Sequence, residues 1–246
     1  MTVWTYRPRG MSPSGKVVFV THGVERDGRR YRDQWQPHAE QRQFLLIVPE
    51  FDARNFSEDA YQRGNVVDRN GNAIEKRQWT FSTIERLFDV VRQGARLRSP
   101  RYSLYGHSAG AQFVHRFVLF MPEARYEHAI AANAGWYTLP SFEVAFPYGL
   151  EGAPVTESGL KQAMGRDLVI LLGDDDTDES DPNLRNTERA RAQGRTRFER
   201  GQNFYETARA TSGKMGAPLR WRQLLVRDAG HSNREMSAAA ARLLVP

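Results

Sequence analysis

The chain predicts an α/β fold: a mostly parallel central sheet with helices on both faces and no large cap domain. Short β-branched or apolar runs alternate with amphipathic stretches, the pattern of a parallel sheet covered by helices. Two runs, Lys16-Val17-Val18-Phe19-Val20-Thr21 and Gln43-Phe44-Leu45-Leu46-Ile47-Val48, are almost continuously apolar, as strands buried on both faces should be. The 246 residues suit one such domain, spanning 1–246, because no repeat, low-complexity linker or composition break divides them.

Between those strands Tyr31, Trp35 and Ala39 recur at four-residue spacing and predict a crossing helix, with Pro37 as a local irregularity. Asp68-Arg69-Asn70-Gly71-Asn72 predicts a hairpin turn, since Asn-Gly tolerates positive φ at both central positions. Ser82 to Arg96 is the clearest helix: Ile84, Leu87, Phe88 and Val91 mark one face, and Ser82 with Glu85 suggests a capping box. A strand at 101–105 and a helix carrying Phe113, Val114, Phe117, Val118 and Met121 follow, the helix ended by Pro122. Later strands are predicted at His128–Ala132, Asp167–Leu172 and Arg220–Val226, and later helices at Phe204–Met215 and Arg234–Leu244. Two segments read as loop insertions, an aromatic- and proline-rich one at 136–162 and a polar, Arg-rich one at 178–202. Such loops project at the carboxyl ends of the strands, where α/β sheets bind ligands, so Trp136 and Tyr137 are expected in a substrate pocket.

Composition narrows the function. There is no cysteine, which excludes disulfides, thiolate metal sites and cysteine nucleophiles. No apolar run is long enough to span a membrane, and the N-terminal residues lack the apolar stretch of a signal peptide. A cytoplasmic protein is expected, or a secreted or periplasmic one whose leader has been removed. The net charge of +6 invites a nucleic-acid reading. Against it, the basic residues are mostly arginines scattered along the chain and interspersed with acids, as in Glu188-Arg189 and Glu199-Arg200. Neither a nucleic-acid nor a membrane partner is expected.

The decisive motif is Gly106-His107-Ser108-Ala109-Gly110, a Gly-x-Ser-x-Gly box with a strand-like stretch before it and a helix-like stretch after it. That context describes a nucleophile elbow, a sharp turn that pushes one hydroxyl out of the backbone, and makes Ser108 the candidate nucleophile. A serine hydroxyl attacks poorly until a base takes its proton, and the base needs an orienting carboxylate. His107 adjoins the serine and points the wrong way; His22 ends a strand, His38 and His115 fall on helices, and His128 begins a strand. His231, after Gly230 in a loop before the last helix, is the expected base. The acid belongs in Gly173-Asp174-Asp175-Asp176-Thr177-Asp178-Glu179, with Asp176 the first choice and Asp178 the second. A calcium loop is excluded there, because its sixth position would be Glu179 and its twelfth Arg185, and no metal is expected. Oxyanion donors are expected from the backbone N–H groups of Ala109 and of Val24, in Thr21-His22-Gly23-Val24.

These elements, in this order and strand context, resemble the α/β-hydrolase superfamily over nearly the whole chain. Within it the chain resembles the bacterial esterase branch related to polyhydroxybutyrate depolymerases and feruloyl esterases. The resemblance implies a serine esterase that needs no cofactor and takes a small-molecule ester as its partner. The chain departs from secreted depolymerases in having no polymer-binding domain, no leader and no disulfide, so small esters or hydroxyacyl oligomers are the expected substrates. A peptidase or thioesterase on the same residues is the alternative enzyme, and a non-catalytic binding protein on the same scaffold the alternative of another class.

Overall fold

A computed structural model describes residues 1–245. Among them seven strands form one sheet: β1 (Thr2–Tyr6), β2 (Val17–Thr21), β3 (Leu45–Glu50), β4 (Tyr102–His107), β5 (Tyr126–Ala132), β6 (Leu168–Gly173) and β7 (Arg222–Val226). Their spatial order is β1-β3-β2-β4-β5-β6-β7, with β1 antiparallel to β3 and every other pair parallel.

The apolar runs are continuous because alternate residues feed two separate cores. Val17 and Phe19 of β2, Leu104 of β4, and Leu168, Ile170 and Leu172 of β6 point to one side. Val18, Val20, Tyr105, Val169 and Leu171 point to the other. The second side is covered by α1 (Gly28–Arg42), through Tyr31, Trp35 and Ala39, and by α8 (Asn233–Leu244). The first is covered by α3 (Ser82–Gly94), α4 (Ala109–Phe120), α5 (Glu157–Met164) and α7 (Arg197–Met215), with the short α2 (Glu58–Gln62) nearby. A further short helix, α6 (Glu188–Arg191), lies in the polar 178–202 segment. Helix α4 is buried along its whole length, its polar residues Gln112, His115 and Arg116 included.

From β2 the chain passes through α1 to β3 on one side, then returns to place β4 on the other side of β2. Strand order therefore reverses between β2 and β4, and the crevice above their carboxyl ends is the place where such sheets bind ligands. Among the described residues no helix is long and apolar enough to cross a membrane.

Several expectations need correction. The edge strand β1 was not foreseen, although Thr2-Val3-Trp4-Thr5-Tyr6 is rich in β-formers; Trp4 Nε1 donates to Glu50 at 2.7 Å and ties it to β3. Ser82 and Glu85 do not form a capping box. A short 3₁₀ turn (Lys76–Gln78) leads into the helix instead, Ser82 Oγ donates to the Lys76 carbonyl, and Glu85 is taken by Tyr102 and Arg125. Helix α7 starts at Arg197, seven residues before the predicted Phe204, because Thr196 caps it by accepting from the Glu199 N–H. The 136–162 segment is not wholly irregular, since α5 begins at Glu157.

Candidate active site

Ser108 occupies the turn between β4 and α4 at φ 57° and ψ −117°, a conformation that L-residues adopt only under constraint. The constraint comes from the two glycines of the motif. A Cβ on Gly106 would collide with the Gly110 carbonyl, and one on Gly110 would collide with the Thr21 carbonyl and lie 2.8 Å from His22 O. Only a backbone without side chains lets the elbow sit this close to the end of β2. Thr21 Oγ1 reinforces the junction with contacts of 3.1 Å to the carbonyls of Tyr105 and Gly110.

Three side chains far apart in sequence meet here. Ser108 Oγ lies 3.0 Å from His231 Nε2, and His231 Nδ1 lies 2.7 Å from Asp176 Oδ2. An ionised carboxylate only accepts, so Nδ1 carries the imidazole proton and Nε2 is free to accept from the serine hydroxyl. Asp176 is 3% exposed. Two other aspartates of its loop are engaged elsewhere: Asp178, the second choice, is exposed and accepts from Ser180, while Asp174 accepts the Asp228 N–H at 2.7 Å.

Sequence reasoning missed what holds the acid and base. Arg197, fully buried at the start of α7, lies 3.5 Å from Asp176 Oδ1 and 2.8 Å from Asp181 Oδ2. Asn133, at φ 50° just beyond β5, accepts the Gly173 N–H at 2.8 Å and donates to the Gly230 carbonyl at 3.0 Å. One amide thus joins the ends of β5 and β6 to the loop of His231, and Glu235 fixes that loop again by accepting the Gly230 N–H at 3.0 Å. The Thr-x-x-Glu at Thr196–Glu199 was a readable signal for Arg197's position; nothing local marks Asn133.

The loop after β2, where an oxyanion donor is expected, is held by His22 and Tyr61. His22 is buried; its Nδ1–H donates to the Gly23 carbonyl at 3.0 Å and its Nε2 accepts the Phe51 N–H at 3.0 Å. Burial pushes its pKa down to about 4, so the ring stays neutral and keeps both bonds. Tyr61 donates to the His22 carbonyl at 2.6 Å. Val24, the expected donor residue, follows Gly23 and lines the cleft with Ser108. Ala109 opens α4, where a helix leaves its first N–H groups without intrahelical partners. The remaining histidines have other duties: His115 accepts the Thr138 N–H, His38 contacts Ser237, His128 pairs with Asp167, and His107 packs on His231 with ring centroids 4.7 Å apart.

Ser108 stands where two clefts meet. One, of about 250 Å³, is lined by Tyr31, Gln34, His107, His231 and Asn233; the other, of about 400 Å³, by Gln62, Gln112, Gly135, Trp136 and Arg185. Val24, Ser108 and Asn183 border both. A broader depression of about 630 Å³ continues from the first through Asp27, Arg30, Gln34 and Ser232. The charges along this groove are mixed, Arg29, Arg30, Arg185 and Arg234 being set against Glu25, Asp27, Asp33 and Glu58. Trp136 is in the wall, held between the guanidinium groups of Arg116 and Arg185 at 4.1 and 5.0 Å. Tyr137, expected beside it, is instead buried against Phe204, and Gln193 accepts its N–H and donates to its carbonyl. The chain bends at Gly135 and Trp136 after leaving β5, so the two adjacent aromatics meet different surroundings.

A scan against protein-family models finds no match, and a search of the curated proteins finds none either. Solved structures do match. Poly(aspartic acid) hydrolase-1 from Sphingomonas sp. KT-1 is 41% identical over 98% of this chain and 92% of its own, with a TM-score of 0.96. LpqC, a poly(3-hydroxybutyrate) depolymerase from Bordetella parapertussis, is 36% identical over 98% of this chain and 82% of its own, with a TM-score of 0.94. The serine hydrolase FphF of Staphylococcus aureus, at 14% identity over 98% of this chain and 90% of its own, shares the fold with a TM-score of 0.60. The chain belongs to the α/β-hydrolase family, in the branch that holds poly(aspartic acid) hydrolase-1 and the LpqC depolymerase.

Proposed function

We propose that the protein is a serine hydrolase that cleaves carboxylic esters, including short hydroxyacyl oligomers, through an acyl-enzyme on Ser108. The observation that carries this is the unbroken relay from Ser108 Oγ through His231 to Asp176. His231 Nε2 takes the serine proton as Oγ bonds to the substrate carbonyl carbon, and the carbonyl π electrons move onto oxygen. The oxyanion is met by the Val24 and Ala109 backbone N–H groups. When the tetrahedral species collapses, the bond to the alcohol breaks and His231 returns its proton to the leaving oxygen. Water, activated by the same imidazole, then releases the acid and restores Ser108.

Oligomers are favoured by the groove, which continues on both sides of Ser108. By their names, the 36% and 41% identical proteins act on an ester-linked and an amide-linked polymer of small acid units. The second supports amide cleavage on the same machinery as the alternative activity. Turnover of p-nitrophenyl esters of increasing acyl length, 3-hydroxybutyrate oligomers and aspartate oligomers tests both. The expected outcome is faster hydrolysis of ester than of amide bonds, with loss of all turnover in Ser108→Ala. Turnover retained by pure Ser108→Ala would refute the assignment.

A further inference from the structure

The Tyr31 hydroxyl stands in the wall of the cleft that holds Ser108 and His231, yet the mechanism above gives it no task. Its ring is packed in the core beside α8, with 8% of the residue exposed. Its one side-chain hydrogen-bond partner among the described residues is His107 Nδ1, at 3.2 Å, and the Gly23 backbone N–H also approaches its oxygen. Which of the two groups donates decides what the hydroxyl can do.

His107 is neutral. Burial drives its pKa well below the ordinary histidine range, and the nearby charges of His231 and Arg197 act in the same direction. A neutral imidazole carries one N–H, and His107 Nε2 has no partner among the described residues. A proton on Nε2 would leave a buried donor orphaned. A proton on Nδ1 leaves only an unpaired acceptor, the less costly arrangement. Nδ1–H therefore donates to the Tyr31 oxygen, and Tyr31 keeps its own proton for another acceptor.

The position of Gly23 places the phenol near the nucleophile. A Cβ on Gly23 would lie 2.8 Å from Tyr31 Oη and 3.8 Å from Ser108 Cβ, so the phenol borders the same loop that faces the nucleophile. Burial also raises the Tyr31 pKa, so the phenol remains a donor throughout the working pH range. We propose that Tyr31 Oη–H is a third hydrogen-bond donor to the oxyanion on Ser108, beside the backbone N–H groups of Val24 and Ala109. The inference rests on the Ser108 mechanism proposed above, and Tyr31 transfers no proton in it.

The test is Tyr31→Phe, which keeps the ring and removes only the hydroxyl. Two quantities are compared with wild type: kcat and KM for p-nitrophenyl butyrate, and the inhibition constant of a butyl trifluoromethyl ketone, which forms a tetrahedral adduct on serine. The proposal expects kcat and ketone affinity each to fall by roughly 30- to 100-fold while KM changes less than threefold. Urea unfolding establishes that the variant is folded. As a second variant, 3,5-difluorotyrosine at position 31 keeps the hydroxyl and is expected to hold ketone affinity within about threefold of wild type. A Tyr31→Phe enzyme within twofold of wild type in both kcat and ketone affinity would overturn the third donor and leave Ser108 in place. So would a loss confined to KM, or one that difluorotyrosine shares. A wild-type protein that hydrolyses no ester and forms no adduct would instead defeat the Ser108 mechanism, and the donor with it.

Discussion

Gly173 lies flush against Ala229: a Cβ on Gly173 would overlap the Ala229 carbonyl oxygen and lie 3.1 Å from that of Gly230. The loop carrying Asp176 and the loop carrying His231 are therefore packed backbone to backbone. Asp175 N–H donates to the Ala229 carbonyl at 3.1 Å, and Asn133 spans the same junction. The 2.7 Å contact between acid and imidazole is set by this packing as much as by the two side chains.

Gly173→Ala should consequently disable the enzyme without touching a reacting group. The new methyl must push the His231 loop away, costing about 1–3 kcal/mol of stability, and a displaced relay should lower kcat by about a hundredfold. Urea unfolding and ester kinetics check the two effects separately. Wild-type kcat in a folded Gly173→Ala protein would contradict the coupling.

Arg197 supplies a second prediction. It is fully buried and pairs with both Asp176 and the partly exposed Asp181, so Arg197→Met removes the arginine countercharge from both carboxylates. Removing one member of a buried ion pair costs about 3–5 kcal/mol. Adding Asp181→Asn to Arg197→Met should restore part of that loss, because it removes one of the two stranded charges. Chemical denaturation of both single variants and the double variant measures the coupling, and strict additivity would contradict it.

His22 makes stability depend on pH. Its folded-state pKa is about 4, against an ordinary value of 6.5, so the unfolded chain binds the proton more readily. The contribution of the neutral ring is complete above pH 6.5 and declines as pH falls from 6.5 towards 4, by about 3 kcal/mol in all. His107 and His115, also depressed by burial, act in the same direction. The urea midpoint should fall between pH 7 and pH 4.5, and Phe in place of His22 should flatten that dependence relative to its own value at pH 7. An unchanged midpoint across this range would contradict it.

Much of the fold and of the candidate site could be read from the sequence because the responsible patterns are local. The apolar strands at 17–21, 45–48 and 168–172 are one-dimensional records of burial on both faces. Ser108 is marked by the glycines on either side of it, and His231 and Asp176 by the loops in which they stand. Asn133 and Tyr31 carry no such mark, since each acts through partners 40 and 76 residues away, and the Thr196–Glu199 cap beside Arg197 marks its place on a helix but not its partner Asp176, 21 residues away. Trp136 and Tyr137 show the same limit: composition puts both in one loop, while the turn of the backbone decides which faces the cleft. Ser82 and Glu85 failed as a cap because the preceding turn takes the Ser82 hydroxyl and the distant Tyr102 and Arg125 take the Glu85 carboxylate.

The central claim is that Ser108 is the activated nucleophile, and a fluorophosphonate probe followed by peptide mass spectrometry tests it most directly. Stoichiometric labelling at Ser108, abolished in Ser108→Ala and strongly slowed in His231→Ala, is the predicted result. A folded wild-type protein that takes up no label, or takes it up at another serine, would contradict the account.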